Sequence, residues 1–542
     1  MKQFQYAKVK KPQSSNFDLS HERKFTTNMA DLTPVFLQEV IPGDRFKVNM
    51  EALVRFQPLL APIMHRINVY IHYFFVPNRI IWEDWEDFIT GGRMGTSEPV
   101  FPAFQANHDE WKIIFNSGIS DYNPCTLADY MGLPIQQYTD NDVAAPPISQ
   151  LPFRAYYQIY YDYYRDQNME DQNMLELQEL VEAYSLDGIV SPGGNAQTLL
   201  ALRKRCWEKD YFTSALPWAQ RGGEVLLPIV GDAPVTGRIY AENSNNELPI
   251  STQEIYWSDD EGMFTAARDG VFGRYPLNII EGPGGVYPDG LKADLSESTS
   301  TTISDLRRAF ALQRWMEKNS RGGARYNEQL LVHFGVKSSD ARLQRAEYLG
   351  GGKMPVQISE VLQMSQSDTT AQGTMSGHGI TGGKITGFTK WFEEHGFVLG
   401  IMSIMPRTAY QQGIPRLFSK FDRYDYAWPE FAHIGEQEVL NQELYLGETE
   451  NDKTFGYQER YAEYRFAFDT VHGDLRSGVT GSLDFWHLAR KFDSRPGLNK
   501  RFTQADPTTR IYPLTVENSQ VIVQTYADCK VSRLLPKFGT PI

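Results

Sequence analysis

The sequence predicts a mainly β protein of the antiparallel jelly-roll class, with long loop and helical insertions, and three observations carry that reading. From His65 to Val76 the chain alternates with period two: Ile67, Val69, Ile71, Tyr73 and Phe75 share one face, and Arg66, Asn68, Tyr70, His72 and Phe74 the other. A second alternating run closes the chain, where Val521, Val523, Thr525, Ala527, Cys529 and Val531 share a face between Gln520 and Val531. Between these terminal strands lie helical patterns and Gly, Pro, Asn and Asp-rich loops. Jelly rolls bring first and last strands together and carry insertions in their connecting loops.

Taken in order, residues up to about Phe17 form a polar arm with Lys2, Lys8, Lys10 and Lys11, expected to be extended or disordered. Val35 to Ile41 and Arg45 to Asn49 are β-rich runs split by the turn Pro42-Gly43-Asp44, an antiparallel beginning. Pro77 ends the His65 strand. Ile80 to Ile89 then sets Ile81, Trp85 and Phe88 at helical spacing and stops at Gly91-Gly92. Arg93 to Pro152 reads as a long surface loop. Phe153 to Arg165 and Met174 to Tyr184 look helical, the first rich in tyrosine, and Thr198 to Lys209 follows with Leu199 and Leu202 ahead of a basic cluster.

From Gly231 to about Thr302 the composition turns acidic and turn-rich, an insertion whose β-like pieces Glu254 to Trp257 and Tyr275 to Ile280 are able to pair within it. A helix begins near Thr302, where Thr302 and Asp305 resemble a capping box. Leu306, Ala309, Phe310 and Met316 form its apolar side, and Arg307, Arg308 and Arg314 its polar face. Ser365 to Thr389, rich in Gly, Ser and Thr, is expected to be a loop. Phe397 to Met405 is a continuous apolar run ended by Pro406, short enough for a buried strand, and Gly456 to Val471 alternates aromatics with charges.

With 542 residues, two domains or one domain with long insertions are expected. A hydrophobic content of 41% supports a core, and 13% aromatics suits strands and large contact surfaces. The net charge of -14 excludes a surface that is basic throughout, although it permits a local basic patch. Cys125, Cys206 and Cys529 have neither disulfide-framework nor zinc spacing, and they suit a reducing compartment. The N-terminal residues lack the apolar core of a secretory leader and no window has membrane-span length, so neither secretion nor membrane insertion is expected.

The motifs divide into weak and useful. Gly377, Gly379 and Gly382 spell G-x-G-x-x-G, but without the strand before and the helix after that a dinucleotide site needs, so a glycine loop is the reading and no cofactor is expected. Glu83, Asp84, Glu86 and Asp87 around Trp85 read as a solvated helix face rather than a metal site. No nucleophile and base pair at a recognised spacing, so no enzyme is expected. The tyrosine run Tyr156 to Tyr164 either packs between helices and subunits or stacks on unpaired bases. Two basic clusters are candidates for nucleic-acid contact: Arg203, Lys204 and Arg205, and Arg490, Lys491, Arg495, Lys500 and Arg501; salt bridging between subunits is their alternative. A lectin-like or carbohydrate-active β-protein is the competing class, and it lacks a discernible carboxylate pair or aromatic platform.

Several stretches carry a family resemblance. FTTNMADLTPVFLQEVIPGDRFKV and IHYFFVPNRIIWEDWEDFITGG near the start are followed in order by DYMGLP, LPFRAYYQIYYDYYRDQN, CWEKDYFTSALPWAQRG, LRRAFALQRWMEKNSRGGARYNEQLLVHFGV, MPRTAYQQGI and LPKFGTP. Together they resemble the major capsid proteins of gokushovirus-type microviruses, small bacteriophages with circular single-stranded DNA. The resemblance implies an N-terminal arm (residues 1–30) and an eight-stranded capsid jelly roll (31–542). It also implies self-assembly into a T=1 icosahedral shell, on the order of sixty copies, around the genome. Implied partners are a small basic DNA-binding phage protein, a scaffolding protein during assembly in the host cytoplasm, and a host cell-surface receptor. The insertion 231–302 would form a surface protrusion for host attachment, with Tyr256, Trp257 and Tyr287 as candidate receptor-facing residues, and the glycine loop would lie at a symmetry axis or subunit contact.

Overall fold

The computed structural model describes residues 13–92, 96–104, 125–134, 147–170, 200–222, 303–322, 332, 345–362, 375–513 and 519–538, with the backbone alone of short strands at 189–190 and between 235 and 293. The chain divides into two compact units, Met1–Ala219 with Ser320–Ile542, and Gln220–Asn319. The helical pattern at Met174 to Tyr184, the residue Thr302 and the N-terminal arm up to Pro12 lie outside the described residues.

The first unit is mainly β. We number its principal strands β1 (Ser15–Asp18), β2 (His21–Thr27), β3 (Thr33–Val40), β4 (Arg45–Phe56), β5 (Ile67–Pro77), β6 (Glu347–Pro355), β7 (Gln357–Leu362), β8 (Met375–Trp391), β9 (Gly396–Pro406) and β10 (Val521–Arg533). One sheet has the order β10–β4–β8–β7, with β1 and β2 laid end to end along the far edge of β10. The other has the order β6–β5–β9–β3. Every pairing in both is antiparallel.

Period-two patterning explains why the sheets stack. In β4, Phe46, Val48, Met50, Ala52, Val54 and Phe56 are buried while each intervening residue is exposed. These side chains meet Val521, Val523, Ala527, Cys529 and Val531 of β10 and, from the opposite sheet, Ile67, Val69, Ile71, Tyr73 and Phe75 in one core. The two alternating faces read in the sequence are therefore the two halves of one hydrophobic layer. β9 is buried on both faces, which is why its sequence runs apolar without alternation. Its outer face, with Phe74 and Val76 of β5, packs under the helix Leu151–Ile159 and the π-helical turn Tyr160–Tyr164 that continues it. Arg93 to Pro152 is accordingly not all surface loop: the short helix Leu127–Met131 buries Leu127, Ala128 and Tyr130.

Three further expectations are corrected. β3 and β4 do not pair with each other; the Pro42-Gly43-Asp44 turn carries the chain from one sheet to the other, with Gly43 at φ +93°. Asp44 anchors this crossing: its buried carboxylate accepts hydrogen bonds from the Ile41 amide (3.1 Å) and the Arg533 guanidinium (3.0 Å). Phe17, assigned to the arm, lies in β1 opposite Val531. The stretch from Met375 to Thr389, read as loop, is strand β8, and Gly377, Gly379 and Gly382 lie inside it. Close backbone approach accounts for the first of these glycines: a Cβ on Gly377 would stand 2.3 Å from the Ala61 carbonyl oxygen.

The acidic residues Glu83, Asp84, Glu86 and Asp87 are exposed around two short helices, Asn78–Ile81 and Trp85–Thr90, the second ended by left-handed Gly91. In the second unit, Val235–Tyr240 pairs with Glu247–Pro249 and Leu291–Ala293, Met263–Arg268 with Tyr256–Trp257 and Val271–Pro276, and Ile279–Gly282 with Gly285–Pro288. The helix begun near Thr302 runs Ile303–Gly322. On it Arg307, Arg308 and Arg314 are exposed, Leu306, Ala309 and Met316 are half-buried, and Phe310 is exposed despite its apolar face.

Candidate functional site

The two basic clusters, far apart in sequence, are neighbours in space because residues 203–207 form an extended tie. The Leu32 amide donates to the Arg203 carbonyl and the Arg205 amide to that of Ala30, each at 2.8 Å. On the other edge, the Ala505 amide donates to the Arg205 carbonyl and the Trp207 amide to that of Thr503, each at 2.9 Å. Extended backbone alternates its side chains, so Arg203 and Arg205 take one side and Lys204 the other.

Arg203 stands over the rings of Tyr157 (5.0 Å) and Tyr160 (5.3 Å), and Arg205 over Tyr70 (4.4 Å) and Tyr164 (5.9 Å). Arg205 also donates to the Ser403 hydroxyl at 3.0 Å. These cations are held by aromatic faces within the subunit. Lys204 pairs with exposed Asp506 at 2.6 Å. The tyrosine run is correspondingly packed: Tyr156 is buried, donates to the Leu32 carbonyl and accepts from the Arg203 amide, and burial raises the phenols of Tyr156, Tyr160 and Tyr164 well above their ordinary range.

In the second cluster, Arg490 is half-buried, stacked over Phe502 (4.2 Å), Phe492 (5.0 Å) and Trp207 (5.4 Å), and donates to the Phe502 carbonyl. Arg495 pairs with Glu450 at 3.1 Å and Lys500 with Glu170 at 2.5 Å. Lys491 and Arg501 are exposed and make no ion pair among the described residues. A cavity of about 710 Å³ opens here, lined by Arg490, Lys491, Arg495 and Arg501 of the predicted cluster. It is completed by Arg510, which the sequence reading missed; its guanidinium donates to the carbonyls of Asp484, His487 and Ala489.

Trp207 is also a wall of a second cavity of about 530 Å³, which His72, Phe74, Tyr163, Tyr164 and Tyr348 line with aromatic surface. His72 shares a 2.8 Å hydrogen bond with the Tyr164 hydroxyl, and burial together with Arg205 lowers the imidazole to about 4, leaving it neutral at pH 7. The available signal for Trp207 was its position two residues after Arg205. Tyr348, far from either cluster in sequence, had none.

Gly377, Gly379 and Gly382 occupy a strand followed by another strand, β9, so the strand–loop–helix frame of a dinucleotide site is not present around them. Tyr256 and Trp257 lie opposite Thr265 and Phe264 in backbone register, and Tyr287 opposite Ile280; their side chains lie outside the described residues. Among the described residues no His, Cys, Asp and Glu grouping could hold a metal ion, and no helix is long and apolar enough to cross a membrane.

Comparison with known proteins supplies the context for these surfaces. Residues 6–542 match the family described as capsid protein (F protein). The capsid protein VP1 of Chlamydia phage 1 is 36% identical, covering 97% of this chain and 95% of its own length. That of Bdellovibrio phage phiMH2K is 37% identical over 91% and 88%, and that of Spiroplasma virus 4 is 31% identical over 97% and 95%. The gokushovirus resemblance carried by motifs along nearly the whole chain is matched by these relatives over the same length, and this chain therefore belongs to the phage capsid protein family.

Proposed function

We propose that this chain is the major capsid subunit of a T=1 icosahedral shell, on the order of sixty copies around a circular single-stranded DNA genome. As a capsid protein it is structural, a component of the virion that self-assembles, and not an enzyme. The observation that carries assembly is an uncovered apolar segment between Pro415 and Gly435. Three short 3₁₀ turns there hold Leu417, Phe418, Tyr426, Trp428 and Ile434 exposed, and Phe421 is 91% exposed. A patch of this kind on a soluble chain marks an interface, and a capsid subunit's abundant partner is another copy of itself. In the variant Phe418→Ser/Phe421→Ser, neither ring belongs to the core, so the subunit folds with unchanged thermal stability. Light scattering and electron microscopy then find subunits or small oligomers where the parent forms uniform shells. Shells of normal yield from the variant would overturn the role of this segment.

The strand orders β2–β10–β4–β8 and β6–β5–β9–β3 support an eight-stranded jelly roll, since strands consecutive in the chain from β2 to β5 pass between sheets and the first lies beside the last. The cationic cavity supports contact with the genome by phosphate neutralisation. The turn-rich, acidic segment 231–302 lies inside a separate compact unit, which supports a surface protrusion used for host attachment. The family resemblance adds a small basic DNA-binding protein, a scaffolding protein for assembly in the host cytoplasm, and a cell-surface receptor.

A further inference from the structure

We infer that the two cavities meeting at Trp207 form one subsite for an unpaired nucleotide, with phosphate on the cationic side and the base on the aromatic side. The inference rests on the genome-contact reading and specifies its site. Each cavity has the volume of a small-ligand site, about 710 and about 530 Å³. The cationic one has five lysine or arginine residues in its lining against the carboxylates of Asp484, Asp493 and Asp506. Asp506 is already neutralised by Lys204 from outside that lining. Arg495 in this lining is held by Glu450 at 3.1 Å, and Lys491 and Arg501 are exposed in the same lining and make no ion pair among the described residues. A phosphate has oxygens enough to serve several guanidinium and ammonium groups together, and exposed Lys491 and Arg501 are the cations it would reach.

The aromatic cavity has the complementary chemistry. Phe74, Tyr163 and Tyr348 form a corner, with ring centroids 4.8 Å apart for Phe74–Tyr163 and 5.5 Å for Phe74–Tyr348. Phe74 is buried, whereas Tyr163 and Tyr348 are 36% and 48% exposed, leaving ring surface open to a planar ligand. Arg205, Glu208 and Lys209 stand on the same walls, where Lys209 pairs with Asp166 at 2.5 Å and the Glu208 carboxylate accepts from the Tyr70 hydroxyl, so the aromatic rings are the surface left for a base. A positive track beside an aromatic platform is how single-stranded nucleic acid is held without sequence preference. A base that enters this corner must be unpaired, so duplex is excluded.

The test uses the full-length chain and two fluorescent 12-mers, oligo-dT and the same sugar–phosphate backbone without bases, titrated by anisotropy across salt. The parent binds oligo-dT about tenfold more tightly than the abasic strand. Tyr348→Ala abolishes that ratio while leaving abasic binding unchanged, and Tyr348→Phe restores it. Lys491→Gln/Arg501→Gln weakens both strands and flattens the slope of log affinity against log salt by about one. Lys47→Gln, on the exposed face of β4, is the control for general loss of charge. Salt-dependent binding that the cavity variants alter no more than Lys47→Gln does would overturn the subsite and leave genome contact standing. An absence of parent binding at low salt would remove the genome-contact reading and the subsite with it. Equal parent affinity for the two strands would overturn the base half.

Discussion

Asp31 gives the prediction with the most direct arithmetic. It lies where the extended tie joins β3, bridged to Lys204 through the backbone, and only 8% of it is exposed. Burial pushes its carboxyl up to about 6, against the opposing pull of Lys204 and of hydrogen bonds from Asn28, while Asp506 adds to the rise. An acid whose folded pKa lies above its unfolded value contributes stability that is fully present below the ordinary carboxylate range. That contribution is lost as pH rises through about 6. Roughly two decades of pKa at about 1.4 kcal/mol each make the change about 3 kcal/mol. Asp31→Asn does not titrate, so its stability relative to the parent should improve by about that amount between roughly pH 4 and pH 7.5. Urea unfolding of unassembled full-length chain at several pH values, followed by tryptophan fluorescence, measures the difference. A difference that stays flat over this range would refute the reasoning, because it would mean that Lys204 matches the buried charge as well as water does.

Within one motif the glycines should respond differently. Gly377→Ala forces a Cβ to 2.3 Å from the Ala61 carbonyl and is expected to cost about 3 kcal/mol, whereas the nearest atom to a Cβ on Gly382 is Leu53 Cδ1 at 3.4 Å. Gly382→Ala should therefore cost well under half as much in the same urea titration. Burial raises the thiol of Cys206 to about 11 and that of Cys529 to about 12. Both should stay unalkylated by iodoacetamide at pH 8 in the native chain and react after denaturation, read by mass spectrometry. Deleting Asn243 to Pro288 should leave shells intact in the microscope yet abolish adsorption to host cells, and unassembled subunits would instead make that segment structural.

What the residues determine alone is local. Period-two alternation locates β5 and β10 and names the faces that enter the core, because side-chain direction along a strand depends only on that strand. An apolar run without alternation similarly marks β9, and the ordered motifs reveal the family. Pairing is not local. Nothing in Pro42-Gly43-Asp44 distinguishes a hairpin from a crossing between sheets; Arg533, at the other end of the chain, meets Asp44 there. The glycines of β8 suggest loop flexibility when read alone, yet Gly377 lies in a strand against which another backbone closes. The basic clusters were legible as charge, whereas their division into stacked Arg203, Arg205 and Arg490, paired Lys204, Arg495 and Lys500, and exposed Lys491 and Arg501 was not. A cation's availability is decided by which rings and carboxylates the fold brings within a few ångströms. Those neighbours come from segments that only the stacking of the two sheets makes adjacent.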